Sequence, residues 1–166
     1  MKPAVAILAA ILGLLAKPAE ASPPADQQRL VETTAAFQAG LIAAAGDRAA
    51  AGSAFEHYRA FLQTSQGHVY KNLEVRIEGL KITGNGVVMT MDLPTPNLAS
   101  PTSRLVLVND LHPLLLSQGD AHFLGTLKAG AQLRVDGQIV GLLRATQANP
   151  DLAQLEFRFD KFKPQP

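Results

Sequence analysis

Residues Ala131–Phe162 read AQLRVDGQIVGLLRATQANPDLAQLEFRFDKF, and their period sets the fold. In the first half, Leu133, Val135, Gly137, Ile139, Gly141 and Leu143 share one parity, and Arg134, Asp136, Gln138 and Arg144 take the other. Strict alternation of this kind predicts a strand with one buried and one wet face. In the second half, Leu155, Phe157 and Phe159 alternate with Glu156, Arg158 and Asp160. Between them, Asn149-Pro150-Asp151 is a turn signal, because Pro fixes φ while Asn and Asp bond locally to the backbone. Two amphipathic strands about such a turn predict an antiparallel hairpin. Gly137 and Gly141, on the buried side, predict tight coiling or close approach of another element.

Upstream the same period recurs. Leu73, Val75 and Ile77 alternate with Glu74, Arg76 and Glu78, after which Leu80 and Ile82 carry the apolar side on the other parity. One extra residue near Gly79, a β-bulge, explains the slip. Thr83-Gly84-Asn85-Gly86 predicts a tight hairpin into a strand with Val87, Met89 and Met91 on one side. LPTPNLASPTS (Leu93–Ser103) holds three Pro and predicts a loop. Arg104–Val108 (RLVLV) predicts a third strand. Asp110–Gly130 predicts a short helix or a turn-rich connection, and residues 163–166 a tail.

The first third has a helical period instead. Asp26 is a candidate N-cap for a helix to about Ala45, with Leu30, Thr34, Phe37 and Leu41 on one face. Ser53-x-x-Glu56 reads as a capping box for a second helix with Phe55, Tyr58 and Leu62 on its apolar stripe. Gly46 and Gly67 are the expected stops. The expectation is a helical hairpin, with one long bent helix as the alternative.

Residues 1–21 predict a secretory signal peptide: Met1-Lys2, a 13-residue apolar run Ala4–Ala16, and small residues Ala19-Glu20-Ala21 before a cleavage point. The run is short of the roughly 20 residues that span a bilayer. Loss of this segment removes Lys2, Lys17 and Glu20, leaving 13 basic and 13 acidic residues. The expected location is therefore periplasmic or secreted, with no membrane span after cleavage. Cys is absent, so neither disulfides nor thiolate metal sites are available, and the core alone must hold the fold.

The order is three strands, an irregular connection and two more strands. This predicts an α+β chain, in which a helical segment (22–67) precedes a five-stranded OB-like antiparallel β-barrel (68–162). Tyr70-Lys71-Asn72, Ile77-Glu78-Gly79, and Lys128-Ala129-Gly130 followed by Leu133, Val135 and Gly137 resemble motifs of the tRNA anticodon-binding-like OB-fold family of bacterial proteins. That family shows Tyr-Lys-Gly where this chain has Asn72, a residue that also tolerates positive φ. The resemblance implies a fold and no established activity.

Composition argues against nucleic acid. Residues 70–163 hold ten Lys or Arg against nine Asp or Glu, interleaved, whereas single-strand binding needs a positive groove with free aromatics. Phe157 and Phe159 share a face with Leu155 and read as core. His112, Asp120 and His122 are the only polar set suggesting metal or hydrolase chemistry, and their spacing does not bring them together. Ser117 lacks the Gly two residues before it that a nucleophile elbow needs. Met89 and Met91 read as core, and Glu74 and Glu78 as a solvated face. The loop remains the candidate contact element, through Pro94, Pro96, Asn97, Pro101 and Arg104. The expected function is a noncatalytic binding module of the envelope, without a cofactor, for a protein, peptide or small ligand. The alternatives are an envelope hydrolase near His112–His122 and an oligosaccharide- or nucleic-acid-binding OB domain.

Overall fold

A computed structural model describes residues 24–83, 86–94, 100–111, 122 and 125–164. The expected signal segment lies outside them, as do Gly84, Asn85, Pro96, Asn97, Ser117 and most of the 110–130 connection. Two helices, α1 (Ala25–Ala43) and α2 (Arg48–Thr64), precede five strands: β1 (Tyr70–Thr83), β2 (Gly86–Asp92), β3 (Arg104–Leu111), β4 (Gln132–Thr146) and β5 (Asn149–Pro164).

The helices form an antiparallel pair. Phe37 stacks on Tyr58 with ring centroids 4.3 Å apart and meets Phe55 edge-on at 5.1 Å. Arg29, early in α1, lies over Phe61, late in α2, while Gly40, late in α1, lies beside Ala54. The Tyr58 hydroxyl lies 2.8 Å from that of Thr34. Its burial pushes the phenol well above its usual pKa. Both helices start earlier than their sequence signals suggest. Pro24 occupies the α1 N-cap and Asp26 falls in the first turn. Asp47 caps α2, its carboxylate accepting from the amides of Ala49 and Ala50, so Ser53 sits inside the helix. A carboxylate that meets two orphan donors on a helix dipole competes well with a serine hydroxyl further along the chain.

The strands close in a ring, β1-β2-β3-β5-β4, with β4 returning to β1. Pairing is antiparallel at β1–β2, β2–β3, β1–β4 and β4–β5. It is parallel at β3–β5, which corrects the wholly antiparallel expectation. The reason is parity: directions cannot alternate all the way round a ring of five, so one seam must be parallel. β1 closes the other side by changing partners at Arg76, pairing with β4 up to that residue and with β2 from it onward. Its ladder shifts between Ile77 and Gly79, where the sequence places a bulge. It shifts again between Tyr70 and Leu73, around Asn72, whose φ of 55° is the left-handed value that Asn tolerates.

The β4–β5 hairpin departs from its sequence reading in three places. The turn is Gln147–Ala148, with Thr146 paired to Asn149, so Pro150 lies within β5. It falls in the irregular stretch between the Thr146–Asn149 and Arg144–Gln154 pairs, where no regular ladder bond is lost. A register shift between Ile139 and Gly141 moves Leu142 toward the core and leaves Leu143 52% exposed. The strand also runs to Pro164, into the expected tail.

One core fills the ring and extends to the helices. Leu73, Val75, Ile77, Met89, Met91, Leu105, Leu107, Leu133, Val135, Ile139, Leu155 and Phe157 join Leu30, Val31, Phe37 and Leu41 of α1 in a single cluster. Each such side chain contributes about 1.5–3 kcal/mol by leaving water. Two glutamines at helical spacing on the same face fasten α1 to strand backbone. Gln27 accepts from the Glu74 amide at 2.8 Å and donates to the Glu74 carbonyl at 3.4 Å. Gln38 donates to the carbonyls of Arg104 (3.2 Å) and Asp151 (3.1 Å), at the start of β3 and beside the start of β5.

Candidate functional site

The Pro-rich loop joins β2 to β3, and both of its described feet are fixed. At the entry, Leu93 is buried and its amide donates to the Leu105 carbonyl at 3.0 Å, prolonging the β2–β3 ladder. At the exit, Ser100-Pro101-Thr102-Ser103 makes a turn closed by the Ser103 amide on the Ser100 carbonyl, 3.0 Å. Asp151 holds this turn from the β4–β5 hairpin. Its carboxylate accepts from the hydroxyls of Ser100 (2.9 Å), Ser103 (3.0 Å) and Thr102 (3.1 Å). Those hydrogen bonds, Ser100 first and then Ser103, favour the charged form and lower the Asp151 pKa from its ordinary value of 3.8.

Beside these feet lies a surface hollow of about 390 Å³. Arg76, Asp92, Arg104 and the exposed Pro94 and Pro101 line it. Strand periodicity places the charged groups together. Arg76 and Asp92 are direct cross-strand partners. Arg104 lies two residues before Val106, the partner of Asp92, so the three project from one face. Glu78, the extra residue of the bulge, reaches the same group through its contact with Arg104. Arg76 Nη2 donates to Asp92 Oδ2 at 2.5 Å. Arg104 pairs with Glu78 through Nη2, and its Nε lies 3.9 Å from Asp92 Oδ1. The acids are sunk and the guanidinium groups stand out. Side-chain exposure is 10% for Asp92 and 28% for Glu78, against 51% for Arg76 and 46% for Arg104. Charged hydrogen bonds of this kind fix the orientation of an otherwise mobile arginine.

Of the contact residues read from the sequence, the structure therefore gathers Pro94, Pro101 and Arg104 around one hollow. Pro96 and Asn97 lie outside the described residues. The sequence reading missed Arg76, Asp92 and Asp151. A signal for the first two existed. Counting back from the Thr83–Gly86 turn, with one extra residue at the bulge, sets Arg76 opposite Asp92. No local signal ties Asp151 to Ser100, because that contact depends on the parallel seam.

Other polar groups converge less. Glu74 pairs with Arg134 at 2.8 Å and Glu78 with Arg104, so the two glutamates form separate ion pairs. His112 and Asp120 lie outside the described residues, and His122 is exposed. A smaller hollow joins Asp26, Arg29, Ser65, His68 and Tyr70. There His68 Nε2 lies 3.2 Å from Asp26 Oδ2, and burial raises the Tyr70 phenol pKa. The Ser65 hydroxyl donates to the Phe61 carbonyl at 2.9 Å, so its proton is already engaged by backbone. Among the described residues no three His, Asp or Glu side chains form a metal-binding group. No described helix is long and apolar enough to cross a membrane. Comparison with family models, curated proteins and solved structures finds no match.

Proposed function

We propose that this chain is an exported, noncatalytic binding or interaction module of the cell envelope, built on an OB-like barrel. The observation that carries the reading is the hollow beside the Pro-rich loop. Its loop feet are pinned by Asp151 and the ladder, and its charged side chains are held in place before any partner arrives. A preorganised surface of this sort loses little conformational entropy on binding. Such sites recur on loops carried by a rigid scaffold. The OB-like assignment and the likeness to the tRNA anticodon-binding-like family draw support from three local features. These are the bulge before Gly79, the positive φ of Asn72, and the turn at Gly130 (φ 89°), whose amide bonds to the Ile77 carbonyl as the chain enters β4.

Nucleic-acid binding finds no support in the described β5 aromatics. Phe157 is 1% exposed, and Phe159 is partly buried against the core. Fluorescence anisotropy with short single strands should stay flat even at low salt; a salt-sensitive rise would restore that reading. Export is tested by cell fractionation with N-terminal sequencing. A product beginning at Ser22 outside the cytoplasm is expected, and an intact cytoplasmic Met1 chain would contradict it. The binding role is tested by using the protein as bait in an envelope extract. Recovery of a specific, saturable partner is expected, and recovery of none would count against the module.

A further inference from the structure

We infer that the hollow between Pro94 and Pro101 receives a carboxylate group, held by Arg76 and Arg104. The inference rests on the binding-module reading and adds the chemistry of the ligand. Arg76 and Arg104 come from β1 and β3 and flank Asp92 of β2. Each presents five N–H donors, and the ion pairs described above use only a part of them. Both side chains are about half exposed, whereas the acids that orient them lie deeper. Both guanidinium groups line the hollow, with the less exposed Asp92 beside them, so their unused donors lie within reach of a group bound there. A planar guanidinium fork matches a planar carboxylate in two parallel hydrogen bonds, and a fork already fixed by an ion pair loses less entropy in forming them. Charge decides between anions. Arg76, Arg104, Asp92 and Glu78 sum to zero, and Asp151, bonded to Thr102 and Ser103 of the lining, adds one negative charge. A dianionic phosphate would therefore meet three nearby carboxylates without a net positive field, whereas a monoanion meets half that repulsion and relies on the guanidinium hydrogen bonds. The exposed rings of Pro94 and Pro101 supply an apolar lining for the carbon skeleton next to the carboxylate.

The test is an NMR titration of the full chain, following the side-chain Nε–H signals of the arginines. The probes are N-acetyl-Ala-Ala with a free carboxylate, its C-terminal amide, sodium acetate and inorganic phosphate. Saturable shifts of the Arg76 and Arg104 signals with the free-carboxylate dipeptide, and none with the amide, are expected. If acetate binds as well as the dipeptide, the source is a small carboxylate; if only the dipeptide binds, it is a peptide terminus; either result supports the inference. Arg76→Lys keeps the charge and loses the fork, and should weaken binding about tenfold, as should Arg76→Gln. Arg144→Gln, on β4 and outside the hollow, should leave it unchanged. Equal binding of the amide, phosphate binding alone, or no saturable shift with any probe would overturn the carboxylate assignment. If such a result came together with a specific envelope partner lost on changing Arg104, the binding-module reading would stand and only the ligand class would fall.

Discussion

At Gly137 a side chain of any size collides with the neighbouring strand. A Cβ there would lie 2.3 Å from the Arg158 carbonyl oxygen and 2.6 Å from the Phe157 ring, whereas at Gly141 it would meet nothing within 4 Å. Gly137→Ala should therefore cost about 2–4 kcal/mol, since backbone cannot yield as a flexible side chain can. Gly141→Ala should be neutral or slightly stabilising. Urea midpoints of the two variants decide this, and equal effects would refute the close approach of β5 to β4. The sequence marks both glycines by parity but cannot separate them, because the register shift after Ile139 is a property of the paired strands. The same shift exchanges Leu142 for Leu143 on the core side. Asn72 makes a second contrast. Asn72→Gly should be tolerated, while Asn72→Val should cost about 1–2 kcal/mol, because a β-branched residue resists φ near 55°. Melting curves that rank Val above Gly would contradict that geometry.

Among the elements, α1 carries the most testable connections. Gln38 is fully buried and spans the starts of β3 and β5. Gln38→Leu leaves two carbonyls without their donor, an effect partly offset by removal of the buried, unpartnered Gln38 Oε1, and should cost about 1–3 kcal/mol by denaturant unfolding. A loss under about 0.5 kcal/mol would mean that the amide is dispensable. The loop exit offers a pH test. Asp151 has a lowered pKa in the folded chain, so its contribution is complete above its ordinary value of 3.8 and is lost as pH falls through the lower folded value. The difference in stability between the native chain and Asp151→Asn should thus be constant at neutral pH and shrink below about pH 4. A difference that does not change with pH would deny the carboxylate its role. Helix faces were legible from sequence because a period of 3.6 survives tertiary packing, as Leu30, Thr34, Phe37 and Leu41 show. Helix starts were not, since Asp47 and Ser53 both look like caps, and Asp47 prevails through the two amides its carboxylate meets.

Over the whole molecule, the helices and the ring share one core, so they should unfold together. A chain starting at residue 68 loses Leu30, Val31, Phe37 and Leu41 from that core, together with both glutamine anchors, and should fail to give a cooperative melt. A well-folded fragment would show the ring to be independent. Strand number, order and the first bulge could be read from alternation and turns. The parallel seam could also have been counted, since five is odd. The site was legible only in part. Pro94, Pro101 and Arg104 stand near each other in sequence, but their partners Arg76 and Asp151 arrive through strand pairing and the seam. The binding reading meets its most direct test in a comparison of envelope proteins captured by the native chain and by the Arg76→Gln, Arg104→Gln double variant, with melting temperatures measured alongside. A partner held by the native chain and lost from an equally stable variant is the result this account predicts; identical capture by both would contradict it.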